Sequence, residues 1–197
     1  QTQTIRNWWG SGVVIPGRGF IMNNAMADFS AKAGVRTTQG LAYGVANAIR
    51  PGKTPLSSMS PTIVMKDGKP VLSVGAAGGP RIITSTLQLI INNLDYGMMM
   101  DSAVKHPHMC CLTLNQGLEL EEGFSPDTIK LLAAKGHIIK NTTDFGELLV
   151  MPNGIRNIDG TFFPGGTSRV DGGGGALTAS GTMAIDGLCF IDEKLTK

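Results

Sequence analysis

Charged side chains are scarce in this chain. Only 16% of its residues are Asp, Glu, Lys or Arg, and the 17 basic and 15 acidic ones are scattered, leaving a net charge of +2. Without a basic patch there is no electrostatic footprint for a nucleic acid or an anionic membrane surface, and both are excluded as partners. Long apolar runs are missing as well. Stretches such as 87–91 stop well short of the roughly 20 residues a membrane-spanning helix requires, so the expectation is a soluble chain with no membrane insertion. Three cysteines, Cys110, Cys111 and Cys189, make no disulfide framework and do not discriminate between redox compartments. With three histidines and no Gly-x-Ser-x-Gly elbow, little is available for a conventional Ser-His-Asp triad.

What is abundant is glycine. The 197 residues include 27 Gly and 10 Pro, yet 42% are hydrophobic, enough to bury a core and to exclude disorder and coiled coil. Residues 12–15 and 20–22 are β-like runs around the turn cluster Pro16-Gly17-Arg18-Gly19, which predicts strand, turn, strand. Residues 30–55 carry Gly, Pro, Thr and Ala without periodicity, as expected of a long functional loop such as a lid. Runs 61–65 and 70–76 flank Asp67-Gly68, a strong hairpin signal. Apolar positions Ile82, Ile83, Leu87, Ile90, Ile91 and Leu94 recur at three- and four-residue steps, predicting a helix over 81–96 ended by Gly97. A second helix is predicted over 99–105. A third is predicted with Ser125 as its N-cap, Pro126 at its first position and Asp127 in its first turn, running on through 128–135 to Gly136 as its terminator. Beyond it, short β-like pieces at 148–151 and 183–191 alternate with turns at Pro152-Asn153-Gly154 and 171–175. The order of strands, helices and strands gives an α+β fold.

Four places could carry chemistry. At Gly78-Gly79-Pro80 a strand runs into a helix. Glycines let a ligand approach the backbone and helix-start N–H groups favour an anion, so Gly78 or Gly79 could serve an oxyanion or carboxylate; a plain tight turn is the alternative. Ser57 and Ser58 lie between two prolines and could bind a carboxylate, or simply form a polar loop. Gly52-Lys53-Thr54 resembles the end of a phosphate loop, but Asn47 stands where that motif needs glycine, and nucleotide binding is rejected. His106, His108, Cys110 and Cys111 have the composition of a metal site, but adjacent cysteines fit tetrahedral ligation poorly, and no metal or other cofactor is assigned.

Several longer motifs then align in order: Thr4-Ile5 with Gly10-Ser11-Gly12-Val13-Val14, Asn23-Asn24-x-Met26-x-Asp28-Phe29-Ser30, Pro55-Leu56-Ser57-Ser58-Met59-Ser60-Pro61, Gly75-Ala76-Ala77-Gly78-Gly79 with Ile82-Ile83-Thr84, and Gly123-Phe124-Ser125-Pro126-Asp127-Thr128. Together they resemble the small subunit of γ-glutamyltransferases over residues 2–139, the likeness weakening from Lys140 onward. The resemblance implies an N-terminal-nucleophile (Ntn) hydrolase, a four-layer αββα sandwich formed when a proenzyme cleaves itself into two subunits. This chain, 1–197, would supply the small-subunit part and lack its first residues. In that family the nucleophile is the subunit's N-terminal threonine, whose own amino group is the base. It lies upstream of the position matching Thr4, so neither Thr2 nor Thr4 is the expected nucleophile.

By the same resemblance, Thr4 matches a threonine that hydrogen-bonds the nucleophile, and Gly78 and Gly79 match the oxyanion-hole pair. Ser57 and Ser58 match serines that hold the substrate carboxylate, Asp28 an acid that binds the γ-glutamyl α-amino group, and 30–54 the lid. Two positions depart from the family: Arg6 replaces an Asn and Ala25 a Glu, moving a substrate-binding site from accepting an ammonium toward accepting an anion. Thr167-Ser168-Arg169 also differs from the family's Ser-Asp pair. The expected function is amide hydrolysis or acyl transfer through an acyl-enzyme, on glutathione or other γ-glutamyl amides. The alternatives are an acylase for dicarboxylic acyl amides, like the cephalosporin acylases, and a non-catalytic member of the fold. The implied partner is the large subunit of the same precursor, and the implied location periplasmic or secreted. Scarce charge suits a broad inter-subunit surface, so the chain is not expected to remain soluble and monodisperse when expressed alone.

Overall fold

The computed structural model describes residues 2–37, 41–113, 117–141, 150–169, 174–177 and 183–186. Internal contacts divide the chain into two compact units, 1–57 and 58–197.

In the first unit the expected strand-turn-strand forms only in outline. A single antiparallel bridge joins Val14 to Ile21, and the Met22 N–H donates to Val13 O at 2.8 Å, but among the described residues no third segment extends the pair into a sheet. Gly10 is required at its neck, because a Cβ there would lie 2.1 Å from the Met22 carbonyl oxygen. Residues 25–28 make one 3-10 turn and residues 45–47 another. Between them Ser30 bridges Ala48 and Arg36 bridges Ala42, so the described part of the 30–54 loop is closed at its base. Residues 38–40 of that loop lie outside the described residues.

The second unit opens with the hairpin of β1 (Thr62–Lys66) and β2 (Lys69–Ala77). Asp67 and Gly68 take φ of 50° and 74°, the left-handed pair a two-residue turn demands to match strand twist. After β2 come α1 (Ile82–Leu94) and α2 (Met100–Lys105), within a residue or two of their predicted bounds. A small sheet of β3 (Met109–Cys110), β4 (Leu118–Leu120) and β5 (Ile139–Asn141) surrounds α3 (Pro126–Ala134) in sequence. Ser125 Oγ accepts the Thr128 N–H at 3.1 Å, the cap the sequence predicted. The hairpin of β6 (Met151–Ile158) and β7 (Thr161–Gly165) completes an antiparallel sheet in the order β1-β2-β6-β7, and β8 (Gly174–Leu177) pairs with β9 (Met183–Asp186).

The core lies between that sheet and the two helices: Leu72 and Val74 meet Leu89, Met100, Ala103 and Val104. Each fully buried Leu among them contributes about 1.5–3 kcal/mol. Two turns expected from the sequence are corrected here. Pro152-Asn153-Gly154 is strand, because Gly154 pairs with Gly165 directly beneath Met100. A Cβ on Gly154 would lie 2.9 Å from Met100 Sδ, and one on Gly165 would lie 2.7 Å from the Met100 backbone. These glycines make a flat seat for the first residue of α2 rather than a bend. Gly174 and Gly175, read as part of a turn, pair with Asp186 and Ile185 in the β8-β9 hairpin. Residues 148–149, 171–173 and 187–191, Cys189 included, lie outside the described residues.

Arg169 locks the segment after β7. Its guanidinium forms two hydrogen bonds to Glu121, at 2.7 and 2.5 Å, and donates to Val104 O at the end of α2 at 2.6 Å, with the side chains 2% and 0% exposed. Removing either charge would strand the other in the interior, at about 3–5 kcal/mol.

Candidate active site

The expected site residues fall into two sets. In the first unit the structure brings Thr4, Arg6 and Asp28 together. Arg6 has φ of 73°, a left-handed conformation that disfavours a side chain by roughly 1–2 kcal/mol. Two contacts hold it there. Its N–H donates to Thr4 Oγ1 at 2.9 Å, and its Nε donates to Asp28 Oδ1 at 2.7 Å. Nη2 also reaches Ala27 O at 3.5 Å. The flanking backbone is pinned to the Asn23-Asn24 segment: the Asn24 N–H donates to Ile5 O at 3.2 Å, and Asn24 Oδ1 accepts the Asn7 N–H at 3.2 Å.

Asn47 was not anticipated as a site residue; its sequence interest lay only in spoiling a phosphate loop. Its Nδ2 donates to Asp28 O at 2.7 Å and its Oδ1 accepts the Leu56 N–H at 3.0 Å, so one amide ties the Asp28 turn to the backbone just before Ser57. Lys53, of the phosphate-loop fragment, donates to the carbonyls of Ala46 and Ala48 and thereby supports the 3-10 turn that carries Asn47. An amide acting through side-chain-to-backbone bonds 9 and 19 residues away leaves no local sequence signature.

In the second unit Ser58 is half-buried and its carbonyl accepts the Ser60 hydroxyl at 3.1 Å, whereas Ser57, the last residue of the first unit, is exposed. β2 delivers Gly78 and Gly79, half-buried, with φ of 140° and 61°. Those angles exclude most side chains and turn the backbone from strand into a 3-10 turn over Gly79–Arg81, from which α1 continues. A helix start of this kind suits a developing negative charge. Arg81, immediately after the pair, holds Glu119 of β4 through Nε and Nη2 at 2.8 and 3.0 Å. That hydrogen-bonded carboxylate raises the guanidinium's pKa. The turn is thus tied across to the small sheet.

The histidine and cysteine positions separate. His108 is buried, with Nδ1 3.0 Å from Ser85 Oγ; Cys110 is buried and Cys111 exposed. Burial pushes the Cys110 thiol up, away from the nucleophilic thiolate. Among the described residues no three His, Cys, Asp or Glu side chains are grouped to hold a metal ion. Nor is any described helix long and apolar enough to cross a membrane.

An antiparallel sheet packed against helices is an α+β arrangement, and the solved structures that this chain overlays give it the Ntn-hydrolase fold. Its structure overlays that of Helicobacter pylori gamma-glutamyltranspeptidase with a TM-score of 0.77 and 39% identity, covering 86% of this chain and 92% of that one. The family model for Gamma-glutamyltranspeptidase matches residues 1–173, and the chain belongs to that family. It is 47% identical over 156 residues to the glutathione hydrolase proenzyme of Escherichia coli K12, and 47% identical over 136 residues to that of Pseudomonas sp. A14. These matches cover 78% and 68% of the chain, which spans about a quarter of each relative, 27% and 24%.

Proposed function

We propose that this chain supplies the small, catalytic part of an amide hydrolase and acyltransferase acting on γ-glutamyl amides such as glutathione. The observation that carries the proposal is the Gly78-Gly79 turn at the start of α1, in a chain whose family includes glutathione hydrolases. The attacking group is an N-terminal threonine of the mature subunit, a role assigned to neither Thr2 nor Thr4. Its hydroxyl oxygen adds to the amide carbon while its amino group takes the proton. The Gly78 and Gly79 N–H groups stabilise the resulting oxyanion, the C–N bond breaks and the amine leaves with the proton. Water or an acceptor amine then resolves the acyl-enzyme. Losing one oxyanion donor in such a site slows turnover by about a hundredfold or more.

Thr4 positions the nucleophile, Ser57 and Ser58 hold the substrate carboxylate, Asp28 faces the acyl donor, and residues 30–54 close over it. The large subunit of the same precursor completes the enzyme as a heterodimer, in a periplasmic or secreted location. The test uses the full precursor after self-cleavage, incubated with a γ-glutamyl anilide. Expected are steady release of the aniline and, in intact-mass spectra of a rapid quench, a γ-glutamyl adduct on the small subunit. A cleaved, folded protein that releases no amine would overturn the proposal.

A further inference from the structure

Asp28, the acid assigned to the acyl donor, is not an open carboxylate. Its Oδ1 accepts Arg6 Nε at 2.7 Å, and both side chains are about one-third exposed, at 36% for Arg6 and 33% for Asp28. The pair is therefore reachable by a ligand and close to neutral. Ala25, at the start of the same 3-10 turn, contributes no polar side-chain atom. On the guanidinium, Nε is taken by Asp28 and Nη2 reaches Ala27 O, while Nη1 makes no hydrogen bond among the described residues. The site thus offers a free cationic edge and a carboxylate already engaged.

The backbone supports the same arrangement. Arg6 is one of three non-glycine residues in the left-handed region among the described residues; the others, Asp67 and Asp159, sit in hairpin turns, where that conformation is ordinary. Arg6 is in no hairpin. Its strained conformation is held by the Thr4 hydroxyl on one side and Asp28 on the other, a cost tolerated where a side chain must be aimed.

A γ-glutamyl donor carries a carboxylate and an ammonium on its α-carbon; a simple dicarboxylic monoamide carries the carboxylate alone. An ammonium arriving here meets a carboxylate whose charge is already balanced and a guanidinium that repels it. A lone carboxylate meets the free guanidinium edge without that penalty. Resting on the amide-hydrolase function proposed above, we infer that Arg6 is a specificity-determining residue that extends the acyl donors of this site beyond γ-glutamyl amides to ω-amides of dicarboxylic acids lacking the α-ammonium.

The experiment compares kcat/KM for glutaryl-p-nitroanilide and γ-glutamyl-p-nitroanilide in the mature two-subunit protein and in Arg6→Asn, Arg6→Gln and Arg6→Lys. Removing the charge is expected to shift the ratio toward the γ-glutamyl substrate by on the order of tenfold, through a higher KM for glutaryl and a lower KM for γ-glutamyl. Arg6→Lys keeps the positive charge and is expected to stay nearer the wild-type ratio. Arg6→Gln carries the test if Arg6→Asn fails to mature. A ratio indifferent to both neutral substitutions, with either anilide still cleaved, overturns this inference alone. Failure of the mature wild-type protein to cleave either anilide overturns the amide-hydrolase proposal, and this inference with it.

Discussion

His108 has one ring nitrogen committed and one buried without a partner among the described residues. Nδ1 meets Ser85 Oγ at 3.0 Å, Nε2 is the buried nitrogen, and the side chain is 1% exposed. Burial, reinforced by the nearby Arg169 guanidinium, lowers its pKa to about 3. In the unfolded chain the same imidazole titrates near 6.5. Between those values the unfolded state binds a proton that the folded state refuses, so this contribution to stability is complete above about pH 6.5 and is lost as pH falls toward 3. Thermal midpoints of the mature protein, measured every half unit from pH 7 to 5, are expected to fall with acidification. His108→Asn is expected to flatten that slope by the equivalent of about one proton, at most roughly 1.4 kcal/mol per pH unit. Parallel slopes for the two proteins would mean that the imidazole takes up its proton as readily in the folded state as in the unfolded chain. None of this was legible in the sequence, where His108 stood beside Cys110 and Cys111 as metal-like composition. Its enclosure comes from Ser85 on α1 and Glu121 after β4, 23 and 13 residues away.

Elements governed by short-range rules were legible. The β1-β2 turn needed only Asp67-Gly68, and α3 only Ser125, Pro126 and Gly136. The β6 strand was misread because its Pro152-Asn153-Gly154 is a turn by local preference, overridden by the need to seat Met100. The Gly78-Gly79 junction was legible as a candidate oxyanion site, but what steadies it was not, since Arg81 finds Glu119 38 residues away. This two-point bond couples the glycine turn to β4, and its partners are only 18% and 10% exposed, so solvent screens it weakly. Arg81→Lys replaces the planar fork with a single point charge and should let the turn drift. The expected result is a fall in kcat of about tenfold with KM little changed, because a misplaced oxyanion donor weakens transition-state binding more than ground-state binding. Glu119→Gln should behave similarly, and the double substitution should be markedly less than additive. Additive losses, or a loss confined to KM, would show that the pair does not position the turn.

For the whole molecule, the sparse charge is matched by what the second unit leaves uncovered. The apolar periodicity of α1 correctly located a helix, but its buried face is Ile82, Ser85, Thr86, Leu89 and Asn93, while Ile83, Leu87 and Leu94 remain exposed. The helix thus has one face committed to the sheet and an apolar stripe on another. β1 repeats the pattern with Ile63 and Met65, 65% and 55% exposed. Such surface, left in water, drives association. In the proposed heterodimer it is covered by the rest of the precursor, which accounts for a sequence with so few charges. The chain produced alone is expected to bind a hydrophobic dye and elute as aggregate, and the full precursor to yield a monodisperse cleaved complex. Ile83→Lys with Leu87→Glu should make the isolated chain more soluble while lowering the yield of complex, opposite effects that a general loss of stability cannot produce. Both preparations can be followed by size-exclusion chromatography with light scattering. If the paired substitutions leave the yield of complex intact, the α1 stripe is not part of the covered surface.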